Sequence, residues 1–125
     1  MIAIDTSSLI AFLDGSAGPD VDAVDWVLEH RQAVLPPVVL SELWSDPLLS
    51  QRTMSLLAEL PILEVHAGYW ERVGRLRARV ISKGRRARLA GALIAQSCLD
   101  HRVPLTTRDK DFHSFARYVG LELFL

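Results

Sequence analysis

Short apolar segments alternate with longer helical patterns along almost the whole of this 125-residue chain. Five segments have the composition of short buried strands, and they fall near residues 2–4, 33–35, 62–65, 104–107 and 121–124. Strands that alternate with helices favour a parallel, mostly buried sheet with helices on both faces. We therefore predict an α/β/α sandwich, a single domain over residues 1–125 built around a central parallel sheet of about five strands.

Three small polar residues and one glycine mark helix boundaries. Thr6, Ser7 and Ser8 are typical N-cap residues, and they precede an apolar helical pattern at 9–13. A long amphipathic pattern over 67–83 runs up to Gly84, a typical C-cap residue. We expect helices to begin and end at these positions.

The composition narrows the class of protein. Half of the chain is hydrophobic and 23% is charged, as in globular domains, and no apolar run reaches the roughly 18 residues of a membrane helix. The first residues show neither a basic leader nor a small-residue cleavage site. Cys98 is the single cysteine, so an internal disulfide is excluded. We expect a cytoplasmic protein that does not associate with a membrane.

Acidic and basic side chains are concentrated in different halves. Residues 1–71 carry eleven acids and two bases, whereas residues 72–125 carry four acids and twelve bases. Eight of these bases lie between 72 and 88 with no acid among them. Such asymmetry suggests a polyanion or an acidic protein segment as partner. A solvated helix face balanced by the acidic half would give the same pattern, so both interpretations stay open here.

Four carboxylates occur where a parallel sheet places its ligands. Asp5 directly follows the first strand segment, and Asp109 and Asp111 follow the segment 104–107. Glu42 lies about one helical turn beyond the second segment. Ligands of such sheets bind beyond the carboxyl ends of the strands. These acids should therefore converge on one edge of the sheet.

Clustered carboxylates are suited to one kind of cofactor. They raise one another's pKa unless a cation screens them, and oxygen-only ligands suit Mg²⁺ or Mn²⁺. The histidines and Cys98 show no paired zinc spacing. A metal held by carboxylates activates water and stabilises displacement at a phosphate, so phosphodiester hydrolysis is the natural reaction. The basic run could then hold the phosphate backbone.

Each acid also has a purely structural interpretation. An Asp at the end of a strand often caps a helix, and Asp109 or Asp111 could form a polar turn that caps a helix at Phe112. Glu42 is harder to explain in this way because it lies in an apolar helical segment, where a buried Glu needs a partner. A nucleophilic pair of Thr6 and Ser7 is disfavoured because no histidine stands at a suggestive position.

Four segments of the chain resemble the acidic motifs of PIN-domain proteins, and they fall at residues 1–10, 41–43, 89–95 and 105–112. Each motif is short, but their order and spacing together are fairly specific and cover nearly the whole chain. The subgroup with the closest resemblance is the VapC toxins of bacterial and archaeal toxin–antitoxin pairs. The resemblance implies a Mg²⁺- or Mn²⁺-dependent endoribonuclease that acts on RNA. It also implies a homodimer, and a cognate antitoxin protein whose C-terminal segment covers the active site.

The resemblance also assigns roles to single residues. By motif, Asp5 and Asp109 would be metal ligands, and Glu42 would bind the metal directly or through water. Asp111 would be an auxiliary acid in the same turn. The hydroxyls that support the ligands would be those of Thr6 and Thr107. Whether the basic side chains of Arg85, Arg86 and Arg88 contact RNA or the partner is left open.

One position departs from the family pattern. The third motif has an Asp where this chain has Gly91, inside a strong helical segment. A glycine in a helix costs about 1 kcal/mol relative to Ala, and nothing around this one calls for a turn. A glycine that permits close helix packing is the alternative explanation. We expect Gly91 to mark a missing ligand, so that metal binding is weak and activity falls by orders of magnitude while the fold and antitoxin binding are retained.

Two other functional classes share some of these sequence features. The first is a non-catalytic PIN-like module that binds an antitoxin protein or RNA, which Gly91 favours and the retained acids disfavour. The second is a receiver-type signalling domain. That class needs paired acids after the first strand, an Asp after the third and a Lys after the last. Here Thr6 follows Asp5, the third segment ends at Val65 and His66, and no Lys follows Phe124.

Overall fold

The computed structural model describes residues 1–124 and shows the predicted alternation of strands and helices. Within that range, ten elements follow one another along the chain. They are β1 (Ile2–Ile4), α1 (Thr6–Leu13), α2 (Pro19–Glu29), β2 (Ala33–Val34), α3 (Pro37–Trp44), α4 (Gln51–Ala58), α5 (Tyr69–Ser82), α6 (Leu89–His101), β3 (Leu105–Thr106) and α7 (Phe112–Val119).

The strands form a parallel sheet in the order β2-β1-β3. Every residue of these strands is buried, so helices cover both faces of the sheet. α1 packs against α2, and α5 and α7 pack around α6. The α/β class with a central parallel sheet is therefore confirmed.

The predicted number of strands is wrong for the described residues. Segments 62–65 and 121–124 each join the sheet through one isolated parallel bridge, Leu35 with Ile62 and Leu105 with Leu123. In the first of these segments Ile62 and Val65 are exposed and only Leu63 is buried. A segment without a continuous buried face gains too little from packing to extend its pairing, so segment 62–65 ends after a single bridge.

The predicted start of the first helix is also wrong. α1 begins at Thr6 rather than at Leu9, and Asp5 occupies the N-cap position with an extended backbone. The Thr6 and Ser7 hydroxyls donate to carboxylates instead of capping the helix. Gly84 behaves as expected after α5, since its φ is +74° and its amide donates to the Ile81 carbonyl oxygen. In residues 1–124, no helix combines the length and the apolar character that a membrane span requires.

Candidate active site

The four predicted acids meet in one cleft beyond the carboxyl ends of β1 and β3. Its volume is about 90 Å³, room for about three water molecules. The cleft is lined by Asp5, Glu42, Arg88, Ala90, Gly91, Ile94, Asp109, Asp111, Phe112 and Phe115. A cleft of this size holds a hydrated ion or a phosphate group rather than a complete nucleotide. We call it the acidic cleft.

Asp5 is the most buried of the four acids, with 4% of its surface exposed. Its Oδ2 accepts hydrogen bonds from Ser7 Oγ at 2.6 Å and from Thr107 Oγ1 at 2.8 Å. Burial raises the pKa of Asp5, the two hydroxyls lower it, and the nearby Asp109 carboxylate raises it, with a net upward shift. A carboxylate in this environment gains from a bound cation, because the cation would offset both its burial and its neighbour's charge.

Glu42 is half-buried and lines the cleft from α3. Thr6 Oγ1 donates to Glu42 Oε1 at 2.7 Å, which ties the start of α1 to α3. The partner that the sequence analysis required for this carboxylate is therefore, in this structure, the Thr6 hydroxyl. One carboxylate oxygen of Glu42 is thereby oriented before any ligand arrives.

Thr107, Asp109 and Asp111 form a hydrogen-bonded turn after β3. The Asp109 amide donates to Thr107 Oγ1 at 3.0 Å, and the Asp111 amide donates to Asp109 Oδ1 at 2.9 Å. Asp111 takes the N-cap position of α7 but makes no side-chain cap bond. The structural interpretation of Asp109 as a turn residue thus holds together with its position in the acidic cleft.

Ser7 is the contributor that the sequence analysis did not place beside the acids. Its hydroxyl donates to the carboxylate of Asp5, two residues earlier in the chain. That i to i+2 spacing was readable in the sequence. Its meaning depended on the helix beginning at Thr6, which the sequence analysis placed three residues too late.

The donors in the acidic cleft match a hard divalent cation in kind but not in number. Carboxylate oxygens are the ligands that Mg²⁺ and Mn²⁺ prefer. Over residues 1–124, however, no three His, Cys, Asp or Glu side chains come close enough together to hold a metal ion. The chemistry of the site therefore favours such an ion, whereas the arrangement of its ligands is incomplete.

Gly91 lies on the wall of the cleft formed by α6, directly opposite an aromatic ring. A Cβ placed on Gly91 would lie 3.3 Å from Phe115 Cε2 and 3.9 Å from Phe112 Cζ. Both phenylalanines are buried, and their ring centroids are 5.8 Å apart. Any side chain at position 91 would therefore have to displace Phe115 by a few tenths of an ångström. Close packing at Gly91, the alternative explanation for this glycine, is thus present in the structure.

The structure separates the basic residues into different environments. Arg88 lines the acidic cleft, Arg85 lines a second pocket, and Arg86 is exposed and lines neither of these two. Within the run 72–88, Arg72 forms an ion pair with Asp100 at 2.7 Å and Arg77 Nε donates to the Ala87 carbonyl oxygen. These two arginines stabilise the fold, so only part of the basic run is available to a partner.

Comparisons with known proteins agree with this architecture. A family model described as the PIN domain matches residues 2–118. Similar solved structures include VapBC-5, a member of the VapBC family of toxin–antitoxin systems from Mycobacterium tuberculosis, at 22% identity over 98% of this chain and 96% of that chain, with a TM-score of 0.71. Others are VapBC2 from Rickettsia felis bound to a DNA fragment from their promoter (22% identity, 99% and 98% covered, TM-score 0.70) and FitAcB from Neisseria gonorrhoeae (18% identity, 100% and 97% covered, TM-score 0.70). At these identities the likeness shows a shared fold. None of the curated protein sequences matches this chain.

Proposed function

Since this chain belongs to the PIN-domain family, we propose that it is a metal-dependent endoribonuclease toxin of a type II toxin–antitoxin pair, weakened by Gly91. The observation that carries this proposal is the convergence of four acidic side chains, from three separate parts of the chain, in one small cleft. Such a cleft binds a cation and a phosphate together, as phosphodiester hydrolysis requires.

The residues of the acidic cleft would have different roles in catalysis. Asp5 and Asp109 would bind Mg²⁺ or Mn²⁺, and Glu42 would reach the ion through water, because no three of the described acids lie close enough together to bind one ion directly. The bound ion would supply an activated water and stabilise charge at the phosphate. The hydroxyls of Ser7 and Thr107 keep Asp5 in one orientation, and Thr6 does the same for Glu42. Asp111 would act as an auxiliary acid beside Asp109.

The weakening follows from what position 91 contributes to the cleft. Gly91 brings no side-chain oxygen to the wall where the family motif has an Asp, and the described acids do not form a three-ligand group. A carboxylate site that lacks one ligand binds its ion less tightly because fewer charges offset the loss of hydration. We expect weak Mn²⁺ binding and cleavage reduced by orders of magnitude.

The proposed partners are an antitoxin protein, an RNA substrate and a second copy of the chain, with the cytoplasm as the site of action. The fold is shared with the structure of a member of the VapBC family of toxin–antitoxin systems. In addition, α1 and α3 pack together and leave Leu13 and Trp44 about 40% exposed. Apolar side chains exposed on adjacent helices support a groove for an amphipathic antitoxin segment.

One alternative is favoured by a specific observation. A non-catalytic PIN-like module that binds an antitoxin or RNA would not need a complete metal site. Phe115 packs so closely against Gly91 that this wall of the cleft has no free space for a metal-binding side chain. The experiment below separates this alternative from a weakened enzyme.

The test restores the missing carboxylate and makes room for it. Gly91→Asp is combined with Phe115→Leu, and Gly91→Asn with Phe115→Leu is the matched control, because Asn has the size of Asp without its charge. Each protein is incubated with total RNA and Mg²⁺ or Mn²⁺, with and without EDTA. We expect EDTA-sensitive cleavage by the Asp variant above that of both the Asn variant and the parent chain.

Other outcomes assign the function differently. If no variant cleaves, the non-catalytic module is supported. If the parent cleaves as well as the Asp variant, the role given to position 91 is wrong. Calorimetric titration with Mn²⁺ provides a readout independent of the RNA, and tight binding by the parent chain would contradict the weakened metal site.

A further inference from the structure

A second pocket shares its border with the acidic cleft and has the opposite charge. It is lined by Arg85, Lys110, His113, Ser114, Arg117 and Tyr118, and we call it the basic pocket. No acidic side chain lines it. Lys110 stands between Asp109 and Asp111 in sequence, so the segment 109–113 contributes side chains to both pockets. The two pockets therefore lie next to each other, and one extended ligand can contact both.

The cations of the basic pocket are not neutralised by the protein. Across residues 1–124, the ion pairs are Arg72 with Asp100 and Arg108 with Asp20, and neither belongs to this pocket. Arg85, Lys110 and Arg117 are exposed. Like charges held side by side repel one another, so an anion between them would stabilise the arrangement. The pocket therefore has the electrostatics of an anion site.

Tyr118 brings the two arginines of the basic pocket together. The Arg117 guanidinium carbon lies 5.3 Å from the centroid of the Tyr118 ring, within the range of a cation–π contact. The pKa of the Tyr118 hydroxyl is lowered, chiefly by the nearby Arg85 side chain, and Arg85 lines the same pocket as Tyr118. Both arginines of the pocket therefore lie near the Tyr118 side chain.

The donor set fits a phosphate better than a single carboxylate. A carboxylate is satisfied by the two parallel N–H groups of one arginine. Two guanidinium groups, an ammonium and the Ser114 hydroxyl exceed that need, and they match a phosphate within a nucleic-acid strand, because the strand brings further phosphates to the donors that one phosphodiester leaves unused. The adjoining acidic cleft repels phosphates in the absence of a cation, so an RNA strand that crosses it needs a compensating positive site close by.

We propose that the basic pocket binds a backbone phosphate of the RNA strand whose neighbouring phosphate faces the acidic cleft. This inference rests on the proposed function because it takes RNA as the substrate. The pocket would position the strand by its backbone, and so would hold RNA of any sequence at this point. It would also hold RNA without a metal ion, because its donors are side chains of the protein.

The test measures RNA binding without cleavage. A fluorescently labelled single-stranded oligoribonucleotide is titrated in EDTA and followed by anisotropy at several salt concentrations. The pocket variant is Arg85→Ala with Arg117→Ala. The control is Arg52→Ala with Arg31→Asn, which changes the net charge equally at exposed positions outside the basic run, and Asn suits the positive φ of position 31. We expect roughly tenfold or greater loss of affinity for the pocket variant and a shallower salt dependence, by about 0.7 in slope per lost phosphate contact.

The outcomes distinguish this inference from the proposed function. If the parent binds RNA and the pocket variant loses no more affinity than the control, the phosphate site is overturned while the ribonuclease proposal stands. If a polyglutamate peptide binds and the oligoribonucleotide does not, the pocket serves an acidic protein and the inference is overturned. If binding depends on the pocket but the Gly91 variants never cleave, the phosphate site stands and the ribonuclease proposal fails.

Discussion

The two walls of the acidic cleft are built in different ways. On the strand side, Asp5 is buried and held by two hydroxyl hydrogen bonds from Ser7 and Thr107. On the helix side, Gly91 presents only backbone, and the rings of Phe112 and Phe115 close against it. The strand wall therefore holds a carboxylate in one orientation, whereas the helix wall is packed as part of the hydrophobic core.

This difference matters for any attempt to introduce a carboxylate into the cleft. A carboxylate on the strand wall already has polar partners that orient it, so its function depends mainly on charge. A carboxylate introduced on the helix wall meets an aromatic ring first, so its function depends on space as well as on charge. The following predictions test this contrast, from the largest expected effect to the smallest.

Removing the aromatic ring should give the largest change in stability. Phe115 is 2% exposed and belongs to the core, so Phe115→Ala leaves a cavity beside Gly91 and should lower the free energy of unfolding by about 3–5 kcal/mol. Urea denaturation followed by circular dichroism measures this. A loss below about 1 kcal/mol would show that the helix wall is not tightly packed.

Adding a carboxylate to the intact helix wall should be the next largest effect. Gly91→Asp in EDTA should lower the free energy of unfolding by about 1–3 kcal/mol, because its Cβ lies 3.3 Å from the ring. In the Phe115→Leu background the same change should cost less. A double-mutant cycle measures the difference, and additive effects would contradict the proposed contact between positions 91 and 115.

Titration of Asp5 on the strand wall should make the free energy of unfolding depend on pH. The pKa of Asp5 is raised by burial, so the folded protein keeps a proton on this group to a higher pH than the unfolded chain does. The free energy of unfolding therefore falls as pH rises from about 3.8 through the raised pKa. Asp5→Asn should remove this fall, and thermal melts over a pH series in EDTA measure it.

Asp20 provides a control of opposite sign. Its hydrogen bonds with Arg108 lower its pKa, so its contribution to stability is present at neutral pH and is lost as pH falls through the lowered value. Asp20→Asn should therefore lower stability at neutral pH, where Asp5→Asn raises it. If both variants changed the free energy of unfolding at neutral pH in the same direction, a raised pKa for Asp5 would be contradicted.

Substitution of two glycines inside helices should give the smallest difference in stability. A Cβ on Gly74 in α5 would meet nothing within 4 Å, whereas a Cβ on Gly91 in α6 meets Phe115. Gly74→Ala should therefore gain the helix-propensity benefit of up to about 1 kcal/mol, and Gly91→Ala should gain less or nothing. Equal gains in thermal stability would show that Gly91 is not constrained by its neighbour.

The acids of the cleft are predictable from the sequence because strand ends can be read from apolar periodicity. Asp5, Asp109 and Asp111 each follow a strand segment, and parallel strands bring such residues to one edge. Local patterns predict the wrong element where the outcome depends on packing. A single isolated bridge replaces each of the outer two predicted strands. The first helix begins three residues earlier than predicted, and the Thr6 and Ser7 hydroxyls, which were expected to cap it, bond to carboxylates.

The amino-acid sequence by itself determined the α/β class and the edge of the sheet that carries the acids, since periodicity and residue type are local properties. Only the tertiary structure decided that Phe115 closes against Gly91 and that Arg85, Lys110 and Arg117 share one pocket without an acidic partner. These contacts join α6 to α7, and the end of α5 to α7, across gaps in sequence. Their distances follow from how the helices pack, which no local pattern specifies.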